Sequence, residues 1–219
     1  MRDFVTVTGM IIETGAVNDY DRRTVILTKE RGKITAFAKG ARKINSKLMA
    51  ATNPFAFGTF KLYEGKSAYN MIEASITHYF EELRTDFEGA YLGMYFLEYA
   101  AYYTRENNDE TLMLKLLFQS LRAIVKPTLD NRLIRIIYEL KALVINGEFP
   151  GIPKDHKMSE AALYAVSFIE RTQIEHIYTF AVTEEVLEEL KELSDSYRKR
   201  YIERHFKSLE MVENCMLKI

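Results

Sequence analysis

The chain has 219 residues, 47% of them hydrophobic, with ten glycines, four prolines and one cysteine. That length and apolar share exclude a disordered chain, and the lone Cys215 excludes an internal disulfide and any multi-cysteine metal site. The net charge of −1 hides an asymmetry: residues 1–80 carry +5 and residues 81–219 carry −6, so two modules are expected, with any polyanion meeting the first.

The chain opens MRDFVTVTGMII, where Asp3 and alternating Thr interrupt the apolar run that a signal peptide needs. Phe4, Val5, Val7 and Met10 to Ile12 instead predict a first strand. Thr24 to Leu27 is short and β-branched, and predicts a second. Lys29-Glu30-Arg31-Gly32-Lys33 is a charged turn in which Gly32 is free to take positive φ, and Ile34 to Ala38 follows as a third strand. Phe57 to Tyr63 and Tyr69 to Ser75 flank the turn Glu64-Gly65-Lys66 as a fourth and fifth. Five short strands in about seventy-five residues are the number of an oligonucleotide-binding barrel, although other small barrels share it. Between the third and fourth strands, Lys39 to Pro54 carries four positive charges and no negative one, with a helical turn expected near Lys47 to Ala51.

After residue 80 the apolar period becomes helical. Thr85 with Glu88 reads as a capping box. It opens a helix bearing Phe87, Tyr91, Met94, Tyr95, Tyr99 and Tyr102, apolar on most sides and expected at the centre of a bundle. That most apolar segment, Ala90 to Tyr103, holds Glu98 and is too short to span a bilayer. Met113, Leu116, Leu117, Leu121, Ile124 and Val125 form the next stripe, ended by Pro127. Leu133, Ile136, Ile137, Leu140 and Val144 form a third, ended at Asn146-Gly147. Gly147 to Lys157 is a loop with two prolines. Ser159 caps a helix through Phe168, and Thr183 caps one carrying Val186, Leu187, Leu190, Leu193 and Tyr197. The expected fold class is therefore α+β: a five-stranded oligonucleotide-binding barrel over residues 1–79, then an all-helical domain over residues 80–219.

Catalytic motifs are missing. No two of His78, His156, His176 and His205 stand at metal-ligand spacing, and there is no nucleophile elbow, P-loop or dinucleotide fingerprint. Glu81/Glu82 and Glu188/Glu189 read as solvated helix faces, and Cys215 has no patterned base beside it. No catalytic residue, metal or cofactor is expected.

The one constellation above background is basic: Arg22, Arg23, Lys29, Arg31, Lys33, Lys39, Arg42, Lys43 and Lys47. Phosphates need cations spaced along a backbone, and bases need stacking surfaces such as Phe37, Phe60 and Tyr63. The competing readings are a solvated surface for the charges and a barrel core for the aromatics. The run Arg198, Lys199, Arg200, Arg204 and Lys207 is read as a helix end favoured by the dipole.

Tyr20-Asp21-Arg22-Arg23-Thr24, Thr28-Lys29-Glu30-Arg31-Gly32-Lys33, Ala38-Lys39-Gly40-Ala41-Arg42-Lys43 and Ser46-Lys47-Leu48 before Pro54-Phe55 together resemble the N-terminal barrel of the bacterial recombination mediator RecO family. Tyr138-Glu139-Leu140-Lys141 before Gly147 and Pro150, Ser159 to Leu163, and Tyr197, Tyr201 and His205 with Lys207-Ser208-Leu209 resemble its helices. The family's common four-cysteine zinc ribbon after the glycine–proline turn has no counterpart, because this chain has only Gly151 to Lys157 there. The resemblance implies a non-enzymatic, cytoplasmic, nucleoid-associated repair mediator. Such a protein would bind single- and double-stranded DNA, anneal complementary strands, act with RecR, and dock the C-terminal tail of the single-stranded-DNA-binding protein. DNA contacts are expected at Arg22, Arg23, Lys33, Lys39, Arg42, Lys43, Lys47 and Tyr63. A tail-docking cation is expected among Lys126, Arg132 and Arg135. The alternatives are a protein-interaction adaptor of the same fold without DNA contact and, more remotely, an enzyme with an unrecognised site.

Overall fold

A computed structural model describes residues 4–126, 128–153 and 157–216; Pro127 and His156 fall outside them, as does the side chain of Cys215. Five strands close a barrel in the order β1-β2-β3-β5-β4, with β1 Phe4–Val17, β2 Asp21–Thr28, β3 Gly32–Ala38, β4 Phe57–Glu64 and β5 Tyr69–His78. All neighbours are antiparallel except β3 and β5, which run parallel. The alternation read from the sequence is that of the barrel wall. Val7, Ile26, Ile34, Ala36, Phe60 and Leu62 point inward and are fully buried. Phe60 is thus barrel core and offers no stacking surface.

β1 runs five residues beyond its apolar stretch. A register shift between Ile11 and Glu13 bends it, so that Phe4–Met10 pair with β4 while Gly9–Val17 pair with β2. The extension Glu13–Ala16 is exposed, which removed the apolar period by which it could be seen. The expected helical turn is α1, Leu48–Ala51.

The chain divides into two compact units, Met1–Glu81 with Leu97–Leu114, and Glu82–Phe96 with Lys115–Ile219. In the first, the β2–β3 hairpin is stitched to the 101–107 stretch: the Lys33 N–H donates to the Arg105 carbonyl at 2.9 Å, and Asn107 N–H to that of Arg31 at 3.1 Å. Gly32 takes φ +65°, and a Cβ there would stand 2.2 Å from the Arg105 oxygen. Gly32→Ala therefore meets both a conformational and a steric cost, and should destabilise by about 2 kcal/mol or more. Gly147, at φ +70° with nothing within 4 Å of its added Cβ, isolates the conformational part. Thermal melts should show Gly147→Ala shifting the midpoint about half as far as Gly32→Ala, or less.

The helices are α2 Phe87–Tyr103, α3 Thr111–Val125, α4 Asn131–Ile145, α5 Glu160–Arg171, α6 Glu184–Tyr201 and α7 Lys207–Met216, with 3₁₀ turns at Glu81–Arg84 and Ile174–His176. The cap of α2 is one residue later than expected. Asp86 accepts from the Gly89 N–H at 3.0 Å and its carbonyl takes the Ala90 N–H, whereas the Thr85 hydroxyl turns back to the Glu82 carbonyl. Ser159 caps α5 as expected, accepting from Ala162 N–H. Thr183 holds the N-cap position of α6 without a side-chain bond to the helix backbone. α4 ends in a Schellman turn, with Glu148 N–H on the Leu143 carbonyl and Gly147 N–H on that of Val144. α4 is also the most enclosed helix: every residue from Leu133 to Leu143 is buried, Arg135, Glu139 and Lys141 included. No helix of the described residues is long and apolar enough to cross a membrane.

Candidate nucleic-acid interface

The basic loop after β3 is built turn by turn. Lys43 N–H reaches the Gly40 carbonyl, Ser46 N–H that of Lys43, and Met49 N–H that of Ser46, each at 3.1 Å. Its backbone is pinned to the β1–β2 turn. Gly40 N–H donates to Asp21 Oδ1 at 2.7 Å, Arg42 N–H to the Tyr20 carbonyl at 2.8 Å, and the Ala41 methyl is buried. Arg22 fastens the far side, its Nη1 donating to the Met49 carbonyl, Thr52 Oγ1 and Asn53 Oδ1 at 2.7–3.0 Å. Arg22 therefore shapes the loop through neutral acceptors and keeps its positive charge beneath it.

Pinning the backbone leaves the cationic heads outside. Arg23, Lys39, Arg42, Lys43 and Lys47 are all exposed, and no ion pair among the described residues involves any of them. Arg42 Nη1 donates to the Asn18 carbonyl at 3.2 Å, and Lys43 Nζ lies 5.5 Å from the Tyr20 ring centroid. From Arg31 to Tyr63 the chain has no acidic residue at all. These heads form one field at the end of the barrel where β2 begins and β3 ends.

Lys33 belongs elsewhere. Ladder pairing sets Arg22 opposite Ala38 and Lys33 opposite Leu27, so Lys33 lies five residues, about 17 Å, back along β3. Its ammonium donates to the Ala101 carbonyl at 2.5 Å. Arg31, at the same hairpin, reaches Tyr69 Oη at 3.0 Å and Glu64 at 3.5 Å.

The ladder also brings together residues far apart in sequence. Arg23 pairs with Phe37, Phe37 with Asn70, Asn70 with Tyr63, and Tyr63 with Phe4. Directly paired residues face the same way, and the inward neighbours Thr24, Ala36, Tyr69 and Leu62 are buried, so this row lies on the outer wall. Phe4 is 57% exposed, with Lys61 Nζ 5.3 Å from its ring centroid. Four inter-strand steps of about 4.8 Å make a track of roughly 19 Å, within the reach of a few nucleotides on such a barrel. Tyr63 stands in this row and Lys39 follows Phe37 by two residues. Phe4, Lys61 and Asn70 were not singled out from sequence. The alternation of Phe4, Thr6 and Thr8 signals the outward face of Phe4, but the row itself depends on the β3–β5 pairing.

In the helical unit the three cations differ. Lys126 is exposed. Arg132 forks onto Asp130 and Glu184 at 2.6 Å each, and the hydrogen bonds it donates to Asp130 and then Glu184 push its pKa further above the ordinary arginine value. Arg135 is buried among Glu139, Asp195 and Glu213. Two clefts open on this unit. One of about 640 Å³ is lined by Tyr164, Phe168, Phe180, Val182 and Val186, with Glu160 as its charged residue. The other, about 300 Å³, sets Arg198, Lys199, Arg204 and His205 beside Ile202 and Phe206, with Glu210 and Glu213 also on its wall. No group of three or more His, Cys, Asp or Glu able to hold a metal ion occurs among the described residues.

A family model described as recombination protein O N terminal matches residues 1–80, and one described as recombination protein O C terminal matches residues 84–157 and 152–210. The chain is 24% identical to the DNA repair protein RecO of Acetivibrio thermocellus, over 96% of this chain and 97% of that one. It is 28% identical to the DNA repair protein RecO of Clostridium perfringens strain 13, over 94% and 96%. Against the protein of the same name from Alkaliphilus metalliredigens it is 31% identical over 66% of this chain and 58% of that one.

Proposed function

The chain belongs to the recombination protein O family, and from that footing we propose that it is a DNA-repair recombination mediator that holds DNA on its barrel and speeds the pairing of complementary strands. One observation carries the reading: five cations are exposed with no carboxylate partner among the described residues, and one of them, Arg23, stands in the outward row that holds Phe37, Tyr63 and Phe4. Arg23, Lys39, Arg42, Lys43 and Lys47 are the phosphate contacts, and Tyr63, Phe37 and Phe4 the stacking surfaces. Arg22 acts indirectly, by fixing the loop.

The mechanism is physical. Neutralising phosphates lowers the repulsion between two strands, and holding both on one molecule raises their effective concentration. Base pairing supplies the specificity, and the protein makes no bond. Through RecR and the tail of the single-stranded-DNA-binding protein, the same molecule would be brought to covered single strands and help load the recombinase. That tail needs a cation beside an apolar wall. The cleft at Arg204 and Phe206 sets the exposed Lys199 and Arg204 beside Ile202, Phe206 and Leu209, with Glu210 and Glu213 also on its wall, whereas Arg132 and Arg135 already face carboxylates.

An annealing assay with complementary oligonucleotides, one labelled with a donor and the other with an acceptor dye, tests the reading. Pairing should quicken with added protein, and should persist when the strands are first covered by the single-strand binder. Binding to neither strand, together with intact association with RecR, would replace this reading by that of an adaptor.

A further inference from the structure

Ile44 is 88% exposed, more than any other large hydrophobic side chain of the described residues. Isolated exposed apolar groups are common and mean little by themselves. This one has a setting. Ser46 N–H bonds the Lys43 carbonyl, so Lys43 to Ser46 closes a four-residue turn. Asn45, its third residue, takes φ +64°, the left-handed value that a type II turn requires there. Ile44 is then the second residue, at the outer corner. The turn cannot withdraw it, because Gly40 and Arg42 fix the loop to the β1–β2 turn. A β-branched side chain with few rotamers is thus held out at the corner of a rigid loop, with Arg42 and Lys43 before it and Lys47 after it, all exposed.

We propose that Ile44 is a wedge that enters between two stacked bases of bound DNA. This deepens the DNA-binding reading and rests on it. Flanking cations hold the phosphates on either side of a step, and an apolar group of this size opens the step, as in proteins that kink DNA by partial intercalation. A protein that speeds pairing gains from such a group, since opening a step in one strand's self-paired regions frees bases for the incoming complement. A smooth cationic surface would hold DNA without unstacking it, so the two arrangements give different signals.

The probe is a duplex of about twenty base pairs carrying one 2-aminopurine, moved along the sequence in a set of oligonucleotides, with saturation checked by anisotropy. Bound to the parent protein, at least one position should brighten as its base unstacks. Ile44→Leu should keep that rise. Ile44→Ser should lose at least half of it while Kd changes by less than about threefold and the salt slope stays the same, because no phosphate contact is removed. The position is exposed, so the substitution spares the fold, and circular dichroism verifies this. No rise at any position under saturation by the parent protein overturns the wedge while leaving DNA binding intact. An undiminished rise with Ile44→Ser also overturns it, as does an effect of that substitution on RecR association alone, which would make the corner a protein contact. Failure of the parent protein to bind at all removes the DNA-binding reading and the wedge with it.

Discussion

At 0.1 M monovalent salt, the Lys39→Ala, Arg42→Ala double variant should bind a single-stranded oligonucleotide about 25-fold more weakly than the parent protein. Each phosphate contact on a single strand contributes about 0.7 to the slope of log K against log salt, so two contacts contribute about 1.4. Release of bound counterions is the source of that term, and it vanishes near 1 M salt. One decade below, it amounts to about 1.4 log units. The same variant should therefore show a flatter salt dependence, and a weaker affinity with an unchanged slope would point to a folding defect. Both side chains are exposed, and the loop is held by the Gly40 and Arg42 backbone groups, which the substitutions keep. Lys33→Ala is the matched control. Its ammonium lies at the opposite end of β3 on the Ala101 carbonyl, so it should leave affinity within about twofold. Anisotropy titrations between 50 and 300 mM salt read all three proteins. An unaltered affinity together with an unaltered slope in the double variant would remove the basic loop from the DNA surface.

Lys33 shows where the sequence stops being legible. Its place in a basic cluster was a matter of proximity along the chain. Its partner is 68 residues away, and no local pattern announces that. Period-2 alternation did carry the barrel: the inward set Ile34, Ala36 and Ala38, and Phe60 with Leu62, share parity on their strands. That parity already separates Phe60, inside, from Tyr63, outside. The outer row from Arg23 to Phe4 was illegible because it crosses the parallel β3–β5 pair, whose register no turn fixes. The cap of α2 alone fell one step from its expected place. Thr85 and Asp86 are adjacent candidates of nearly equal worth, and geometry decides for Asp86. The greatest gap was in α4. Arg135 is expected among the tail-docking cations, and the stripe gives no sign that Arg135, Glu139 and Lys141 are enclosed, as they are. Charged residues there read as surface until the helices packed around them are known.

Replacing Arg135 should therefore be a stability experiment before it is a binding one. The guanidinium is 4% exposed and Glu139 is 2% exposed, with 3.5 Å between Nε and Oε1. Tyr95 Oη donates to the same Oε1 at 2.7 Å, and Ser194 Oγ donates to Oε2 at 2.5 Å. Asp195 and Glu213 take the remaining guanidinium nitrogens at 3.3 and 3.5 Å, so one arginine ties α4 to α6 and α7. Arg135→Met preserves much of the volume and leaves the Glu139 charge enclosed without its cation. Losing one partner of such a buried pair costs about 3–5 kcal/mol. For a chain of this length that lowers the thermal midpoint by on the order of 10 °C. Pairing it with Glu139→Gln removes the stranded charge while the amide keeps an acceptor for the Tyr95 and Ser194 hydroxyls, and should recover much of the loss. DNA affinity measured well below the melting point should be the same in all of these proteins, since the cationic loop is in the barrel. The opposite result is equally clear. If Arg135→Met melts with the parent but no longer holds a peptide ending in an aromatic residue and a free carboxylate, the arginine is a docking group. The enclosure described for α4 would then be open in solution.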